Sequence, residues 1–156
     1  MDILKYLDDR GIEYDKYDHQ AVYTVEEAKQ YTSHIPGVHC KNLFLKNRKG
    51  KRHLLIVLGE CRPLNLKDLS DQLGTNGLSF ASKERLFKYL KVEPGSVSPL
   101  GLVNDNDRGV EVFFGEEVYH SIKSAFHPNN NKSTLVMYTK DLLMLLEEMG
   151  YTINII

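Results

Sequence analysis

Apolar and polar residues follow one another along this chain with a period that switches between helical and strand-like. Apolar positions spaced as in Ile3, Leu4 and Leu7 indicate helices, and runs such as Val38–Leu45 indicate strands. The predicted helices cover residues 3–10, 25–31, 66–73, 83–90 and 140–149. The predicted strands cover residues 12–19, 38–45, 53–58, 78–80, 110–114, 120–126, 133–138 and 151–156.

Local signals place the ends of several of these elements. Thr24-Val25-Glu26-Glu27 has the form of a capping box, which predicts a helix start at Val25. Asn65, Ser82 and Thr139 are expected to cap the later helices. The strands 38–45 and 53–58 form the clearest predicted hairpin, joined by a polar turn over residues 46–52.

The order of elements mixes hairpins with isolated helices, which does not match a doubly wound α/β protein. The 156 residues contain no repeat, linker or low-complexity segment. The sequence therefore predicts one α+β domain over residues 1–156. We expect a mainly antiparallel sheet that curls into a barrel-like shape.

Composition narrows the function classes. The chain has 20 Lys and Arg against 21 Asp and Glu, a formal net charge of −1, so any nucleic-acid binding must come from a local basic patch. No apolar run reaches the ~20 residues of a membrane span, and the N-terminus lacks the form of a signal peptide. With only Cys40 and Cys61, neither a disulfide scaffold nor a metal site is predicted. We therefore expect a cytoplasmic protein without membrane association or cofactor.

Three clusters are candidates for chemistry, although the chain lacks the G-x-S-x-G, Walker, H-E-x-x-H and G-x-G-x-x-G motifs. The first is His39–Leu45, which carries Lys41 in line with apolar residues of a strand. The second is Pro94–Gly101, whose prolines and glycines fix a loop and let its backbone approach a ligand. The third is His127–Thr134, a histidine followed by a polar turn. Taken singly, each cluster also fits an ordinary edge lysine, a structural turn or a strand cap.

Taken together, the three clusters resemble a known family. Lys41-Asn42-Leu43-Phe44-Leu45, then Gly95-Ser96-Val97-Ser98-Pro99, then His127-Pro128 follow one another as in the YbaK/ProX-type prolyl-tRNA editing proteins. Relatives of this family form the editing domain inserted in bacterial prolyl-tRNA synthetases. The resemblance covers nearly the whole chain, and its Lys-Asn-Leu-Phe-Leu form is most similar to the branch that deacylates alanyl-tRNA(Pro).

The resemblance implies that the sheet is mixed and surrounded by helices, and that the chain is a free-standing aminoacyl-tRNA deacylase acting on mischarged tRNA(Pro). It implies catalytic roles for Lys41, Gly95 and His127. It also implies that the aminoacyl group is bound by Asn42, Ser96, Val97, Ser98 and Pro99. The implied partner is the acceptor end of tRNA(Pro), with prolyl-tRNA synthetase as a second candidate; the oligomeric state is left open.

The basic turn after the first strand of the hairpin is the best local candidate for contact with tRNA phosphates. Its cationic residues are Lys46, Arg48, Lys49, Lys51 and Arg52. The same charges are also the usual content of a solvated turn, so both interpretations stay open.

Three alternatives remain at this point. Cys40 would be a covalent nucleophile if Lys41 lowered its pKa, but adjacent strand residues point to opposite faces, so we expect Cys40 to lie away from the pocket. The substrate would be cysteinyl- or seryl-tRNA if the pocket selects another amino acid. The chain would be a non-catalytic tRNA- or synthetase-binding module if editing had been lost.

Overall fold

Six α-helices, one 3-10 helix and eight strands follow one another in residues 2–21 and 23–156, the part of the chain that the computed structural model describes. The helices are α1 (Ile3–Asp9), α2 (Val25–Thr32), α3 (Leu66–Gln72), α4 (Lys83–Leu90), α5 (Glu116–Tyr119) and α6 (Thr139–Glu148), and the 3-10 helix is Pro99–Asn104. The strands are β1 (Asp15–Asp18), β2 (Val38–Asn47), β3 (His53–Gly59), β4 (Leu78–Phe80), β5 (Val110–Phe114), β6 (Lys123–Phe126), β7 (Ser133–Tyr138) and β8 (Ile153–Ile155). The longest described helix, α6, has 10 residues, so none of the described helices is long enough to span a bilayer.

Side-chain caps start the helices where the sequence predicts them. The hydroxyl of Thr24 accepts a hydrogen bond from the Glu27 N–H at 3.1 Å. Asn65 and Ser82 cap α3 and α4 in the same way, each through the N–H three residues further on. The prediction for Thr139 is wrong, because Thr139 is the first residue of α6 and its hydroxyl contacts the Ser121 Oγ at 2.7 Å instead.

Two short helices were not predicted. The 3-10 helix follows the Gly95 loop directly, and α5 joins β5 to β6. Each is six residues or shorter, so neither shows the repeated apolar spacing on which helix prediction depends.

The strands form one mixed sheet in the order β1-β7-β6-β2-β3-β5-β8, with β4 paired to β2 outside this path. The pairs β1–β7, β2–β3, β2–β4 and β6–β7 are antiparallel, and β2–β6, β3–β5 and β5–β8 are parallel. The predicted α+β class and mixed sheet are confirmed. The expected closure into a barrel is wrong, because β1 and β8 form two separate edges that do not pair with each other in the described part of the chain.

β3 lies at the centre of the core, with every residue from His53 to Gly59 buried. Leu55 and Val57 pack into the larger apolar cluster on one face of the sheet, and Leu54, Ile56 and Leu58 pack into a smaller cluster on the other. Burial on both faces explains why this segment is a continuous apolar run rather than an alternating one.

β2 is paired from Cys40 to Lys46 on one edge but only at its two ends on the other. Along the first edge it forms the antiparallel ladder with β3. On the second edge Val38 and His39 pair with β6, whereas Leu45–Asn47 pair with β4. Residues 40–44 have no strand partner on this second edge within the described chain. The opening between β6 and β4 positions the candidate site.

Candidate functional site

A cleft of about 280 Å³ opens beside the unpaired segment of β2. Its walls are formed by Tyr23, Thr24, Cys40, Lys41, Asn42, Leu43, Glu60, Gly95, Val97 and His127. The cleft therefore brings together Lys41, Gly95 and His127, which are far apart in sequence. A larger groove of about 550 Å³ beside β1 and β7 contains none of these three residues.

Lys41 is partly buried and belongs to the unpaired segment of β2. Its Nζ donates a hydrogen bond to the main-chain carbonyl of Arg62, in the turn that follows β3. An ammonium group has three N–H donors, so two remain for a ligand when one is held by this carbonyl. The side chain can thus present a compact positive charge in the cleft.

Gly95 forms the tip of a tight turn between α4 and the 3-10 helix. The Ser96 N–H donates to the Glu93 carbonyl at 3.0 Å, and Gly95 has a φ of +88°, in the region that favours glycine. A Cβ at this position would lie 3.3 Å from the Tyr23 ring. Both the backbone conformation and the close approach of Tyr23 therefore require glycine here.

The N–H groups of Gly95 and Val97 have no hydrogen-bond acceptor within residues 2–21 and 23–156. Both residues line the cleft. Main-chain N–H donors in this position are suited to a carbonyl oxygen or to the oxyanion that forms from it.

Ser96, Ser98 and Pro99, which were expected to bind the aminoacyl group, are buried and do not line the cleft. Ser98 accepts a hydrogen bond from the Leu100 N–H at 3.1 Å and so caps the 3-10 helix that Pro99 begins. These residues therefore support the Gly95 loop from its buried side, away from the cleft. Val97 and Asn42 do line the cleft, and the buried Oδ1 of Asn42 has no partner among the described residues.

His127 has a defined tautomer. Its Nδ1 lies 3.0 Å from the Ser133 carbonyl oxygen, which can only accept, so Nδ1 carries the proton and Nε2 is an acceptor in the neutral ring. Burial lowers the pKa of His127 below its usual 6.5, and the nearby His19 ring, 6.2 Å away between centroids, lowers it further. The ring is therefore neutral at pH 7.

Cys40 also lines the cleft, so the expectation that it lies away from the pocket is wrong. The cleft opens along the edge of β2, where neighbouring residues on both faces of the strand reach it. Burial nevertheless raises the pKa of Cys40 to about 12, and its Sγ donates to the Val38 carbonyl. The thiol is protonated at neutral pH, which argues against a role as nucleophile.

Tyr23, Thr24, Leu43 and Glu60 were not predicted as site residues. Tyr23 is an exposed aromatic residue at the mouth of the cleft, and Glu60 brings a carboxylate. Glu60 reaches the site because Gly59 pairs with Cys40 in the β2–β3 ladder. The capping box before α2 was the only sequence signal near Tyr23. No group of three or more described His, Cys, Asp or Glu residues is arranged to hold a metal ion.

The basic turn lies at the other end of β2, six residues or about 20 Å along the strand from Lys41. Lys49 and Lys51 are exposed there, as is Arg48, while Lys46 is partly buried. Arg52 is already engaged, because its guanidinium donates to both oxygens of Glu111 at 2.7 and 2.8 Å.

Comparison with known proteins finds relatives over nearly the whole chain. The sequence profile of the aminoacyl-tRNA editing domain matches residues 19–145. The chain is 38% identical over 154 residues to the prolyl-tRNA editing protein ProX of Acetoanaerobium sticklandii, covering 99% of this chain and 94% of the relative. It is 37% identical to the prolyl-tRNA synthetase associated domain-containing protein 1 of Danio rerio, covering 95% and 81% of the two chains.

A solved structure of a proposed trans-editing enzyme for prolyl-tRNA synthetase has the same fold. It superposes with a TM-score of 0.71 at 20% identity, covering 97% of this chain and 91% of the other. The chain belongs to the aminoacyl-tRNA editing domain family, a family of deacylases, as its three motifs predicted.

Proposed function

We propose that the chain deacylates mischarged tRNA(Pro), with alanyl-tRNA(Pro) as the preferred substrate. The main support for this proposal is that Lys41, the Gly95 loop and His127 line one cleft of about 280 Å³. The similarity to a prolyl-tRNA editing protein supports tRNA(Pro) as the tRNA. The choice of alanine rests on the resemblance of the Lys41–Leu45 motif to the alanine-specific branch.

An aminoacyl-tRNA is an ester, so water suffices as the nucleophile once the carbonyl is placed. The carbonyl oxygen would accept hydrogen bonds from the N–H groups of Gly95 and Val97, which also stabilise the oxyanion after water attacks. Lys41 would hold the terminal phosphate or ribose of the tRNA. The ester C–O bond would then break, and the proton lost by the attacking water would pass through the neighbouring ribose hydroxyl to the leaving ribose oxygen.

The cleft also offers a physical basis for amino-acid selection. A synthetase site built for proline rejects the smaller alanine weakly, because missing methylenes change binding by only ~1–3 kcal/mol. A second site can exclude proline by overpacking, which costs ~1–3 kcal/mol in a stiff pocket. His127, Val97 and Gly95 would form the walls of this size filter, with Ser96, Ser98 and Pro99 holding the loop in place.

The tRNA would extend from the cleft along β2 to the basic turn. Lys46, Arg48, Lys49 and Lys51 would contact its phosphates. Arg52 would instead hold the turn against β5 through Glu111. We further propose that the chain acts as a single domain in the cytoplasm, where charged tRNA is used, and that prolyl-tRNA synthetase is a candidate partner.

The test is deacylation of tRNA(Pro) charged with alanine, cysteine, serine or proline. We expect alanyl-tRNA(Pro) to be hydrolysed fastest and prolyl-tRNA(Pro) to be spared. Lys41→Ala should lower the rate by about 100-fold or more with the fold retained, because the substrate end loses its anchor. Cys40→Ser, a change on the adjacent residue, should leave the rate nearly unchanged.

Each alternative predicts a different outcome. If the cysteinyl or seryl ester is hydrolysed fastest, the preferred substrate carries that amino acid and not alanine. Loss of activity in folded Cys40→Ser protein would restore the thiol mechanism. Hydrolysis of none of the four esters would identify a binding module and overturn the proposed reaction.

A further inference from the structure

The turn that follows β3 holds the ammonium group of Lys41. The Arg62 N–H donates to the Gly59 carbonyl at 3.0 Å, which closes the turn, and the Glu60 N–H donates to the His39 carbonyl at 2.9 Å, which ties it to β2. The Arg62 carbonyl points to Lys41 and accepts from its Nζ. The position of this ammonium therefore depends on the position of one main-chain carbonyl.

A single carboxylate holds both ends of that turn. Glu117, on α5, accepts from the Gly59 N–H through Oε1 at 3.1 Å and from Arg62 Nη1 through Oε2 at 3.0 Å. The same Arg62 nitrogen donates to the Ile156 carbonyl at 3.0 Å. The first and last residues of the turn are thus tied to α5, and its last residue is also tied to the segment after β8.

Two glycines leave the space that this arrangement needs. A Cβ at Gly115 would lie 2.5 Å from Glu117 Oε1 and 2.7 Å from Arg62 Nη1. A Cβ at Gly59 would lie 3.1 Å from Glu117 Cγ. Any side chain at Gly115 would displace the ion pair between Glu117 and Arg62. The pair can therefore occupy its present position only because residue 115 is glycine.

The ion pair itself is a weak source of stability. The side chains of Arg62 and Glu117 are each 34% exposed, and pairs with this much solvent contact contribute little to folding. Glu117 does not line the cleft. Its hydrogen-bonded connection to the cleft therefore runs through the turn and Lys41.

We propose that Glu117 and Arg62 are positioning residues, which fix the Lys41 ammonium in the cleft by holding the Arg62 carbonyl. The proposal deepens the proposed function and rests on it for the role of Lys41. A lysine side chain has four rotatable carbon–carbon bonds, and anchoring its Nζ at one acceptor leaves two N–H donors directed at the substrate. Without the carboxylate, the turn shifts and the ammonium is no longer held in one place.

The structure provides a matched control for this test. Lys5 and Asp9 form a second ion pair on α1, with Lys5 Nζ 2.8 Å from Asp9 Oδ2, and neither residue lines the cleft. Single-turnover deacylation of alanyl-tRNA(Pro) is measured for the wild type, Glu117→Ala, Glu117→Gln and Asp9→Ala. We expect Glu117→Ala to lower the rate about 10- to 100-fold, as misplacement of a catalytic group by about 1 Å does. Glu117→Gln, which can still accept from Gly59, should lose less, and Asp9→Ala should match the wild type.

A second readout is independent of turnover. The ¹⁵N resonance of the Lys41 ammonium is assigned by its loss in Lys41→Arg, and its mobility is followed by relaxation. We expect it to become mobile in Glu117→Ala and to stay rigid in Asp9→Ala, with thermal midpoints of the two variants alike. If Glu117→Ala does not fold, the same comparison is made with Glu117→Gln.

The two readouts separate the positioning role from the proposed reaction. An inactive wild type would refute the reaction, while the mobility of Lys41 would still decide the role of Glu117. An unchanged Lys41 resonance in Glu117→Ala, or a rate equal to that of Asp9→Ala, would overturn the positioning role.

Discussion

At the scale of single residues, His127 shows how local contacts set chemical character. The Ser133 carbonyl fixes the proton on Nδ1, and burial together with His19 keeps the ring neutral. Nε2 is then a hydrogen-bond acceptor whose orientation is set by the fold. It is suited to bind the amino group of the substrate or a water molecule next to the ester. Protonation would turn this acceptor into a donor and remove the interaction.

The first prediction concerns the pH dependence of deacylation. Since the pKa of His127 is lowered, the neutral ring persists below pH 6.5, and kcat/KM should fall only as the pH drops through that lowered value. His127→Asn should remove this acidic limb, with some loss of rate at pH 7.5. The measurement is a pH–rate profile on alanyl-tRNA(Pro), corrected for spontaneous hydrolysis.

His34→Asn serves as the control, because His34 is an exposed histidine outside the cleft. Its acidic limb should match that of the wild type. An acidic limb that survives in His127→Asn would show that another group controls the pH dependence.

The motifs identified Lys41, Gly95 and His127 because each carries a distinctive local sequence. The motifs could not show that Glu60 lines the cleft or that Arg52 forms an ion pair. Glu60 enters the cleft through the register of β2 with β3, and Arg52 is bound by Glu111, 59 residues further along the chain. Contacts of this kind depend on tertiary pairing, which spacing along one strand does not report.

At the scale of elements, the Gly95 loop is held between α4 and the 3-10 helix. Ser98 caps the 3-10 helix, whose residues Leu100 and Leu102 are buried in the core. The loop is thus supported from its C-terminal side by a packed element that was predicted only as an ordered turn. Short helices lack the periodic pattern that reveals longer ones, which is why this support was missed.

The second prediction tests whether the conformation of this loop matters for the reaction. Gly95→Ala and Gly74→Ala both place a side chain at positive φ, +88° and +63°, which costs about 1–2 kcal/mol of unfolding free energy. Gly74 has no atom within 4 Å of an added Cβ, whereas Gly95 faces Tyr23 and the cleft. We expect urea denaturation to show this loss in Gly74→Ala and an equal or larger one in Gly95→Ala, where the added Cβ also meets Tyr23, but a rate loss of about tenfold or more only in Gly95→Ala. Equal activity of the two variants would argue against a role of the loop backbone.

At the scale of the whole molecule, β2 links two sites about 20 Å apart, the cleft at one end and the basic turn at the other. Arg85 fixes the turn by donating to the Gly50 carbonyl at 3.1 Å, so the exposed lysines project from a supported backbone.

The α+β class and most of the helices and strands could be predicted from the apolar pattern of the sequence. Whether the sheet closes into a barrel could not be predicted in this way. Closure would require β1 to pair with β8, and strands of four and three residues are too short to specify their partners.

The third prediction concerns the basic turn. The double substitution Lys49→Ala/Lys51→Ala should raise KM for alanyl-tRNA(Pro) several-fold near physiological salt, with kcat unchanged. Each lost phosphate contact should reduce the slope of log affinity against log salt by about 0.7–0.9. The control is Lys67→Ala/Lys140→Ala, which removes the same charge from α3 and α6. A salt slope equal in both double variants would show that the turn is merely solvated.

The unpaired segment of β2 also bears on self-association. An exposed strand edge offers main-chain groups to which a foreign strand can add, the first step of edge-to-edge aggregation. Here the stretch without a strand partner covers residues 40–44 and is bounded on the same edge by β6 and β4, so a foreign strand that extends beyond it meets one of these two strands. The protein can therefore expose backbone donors and acceptors to a substrate while two short flanking strands keep that edge from seeding aggregates.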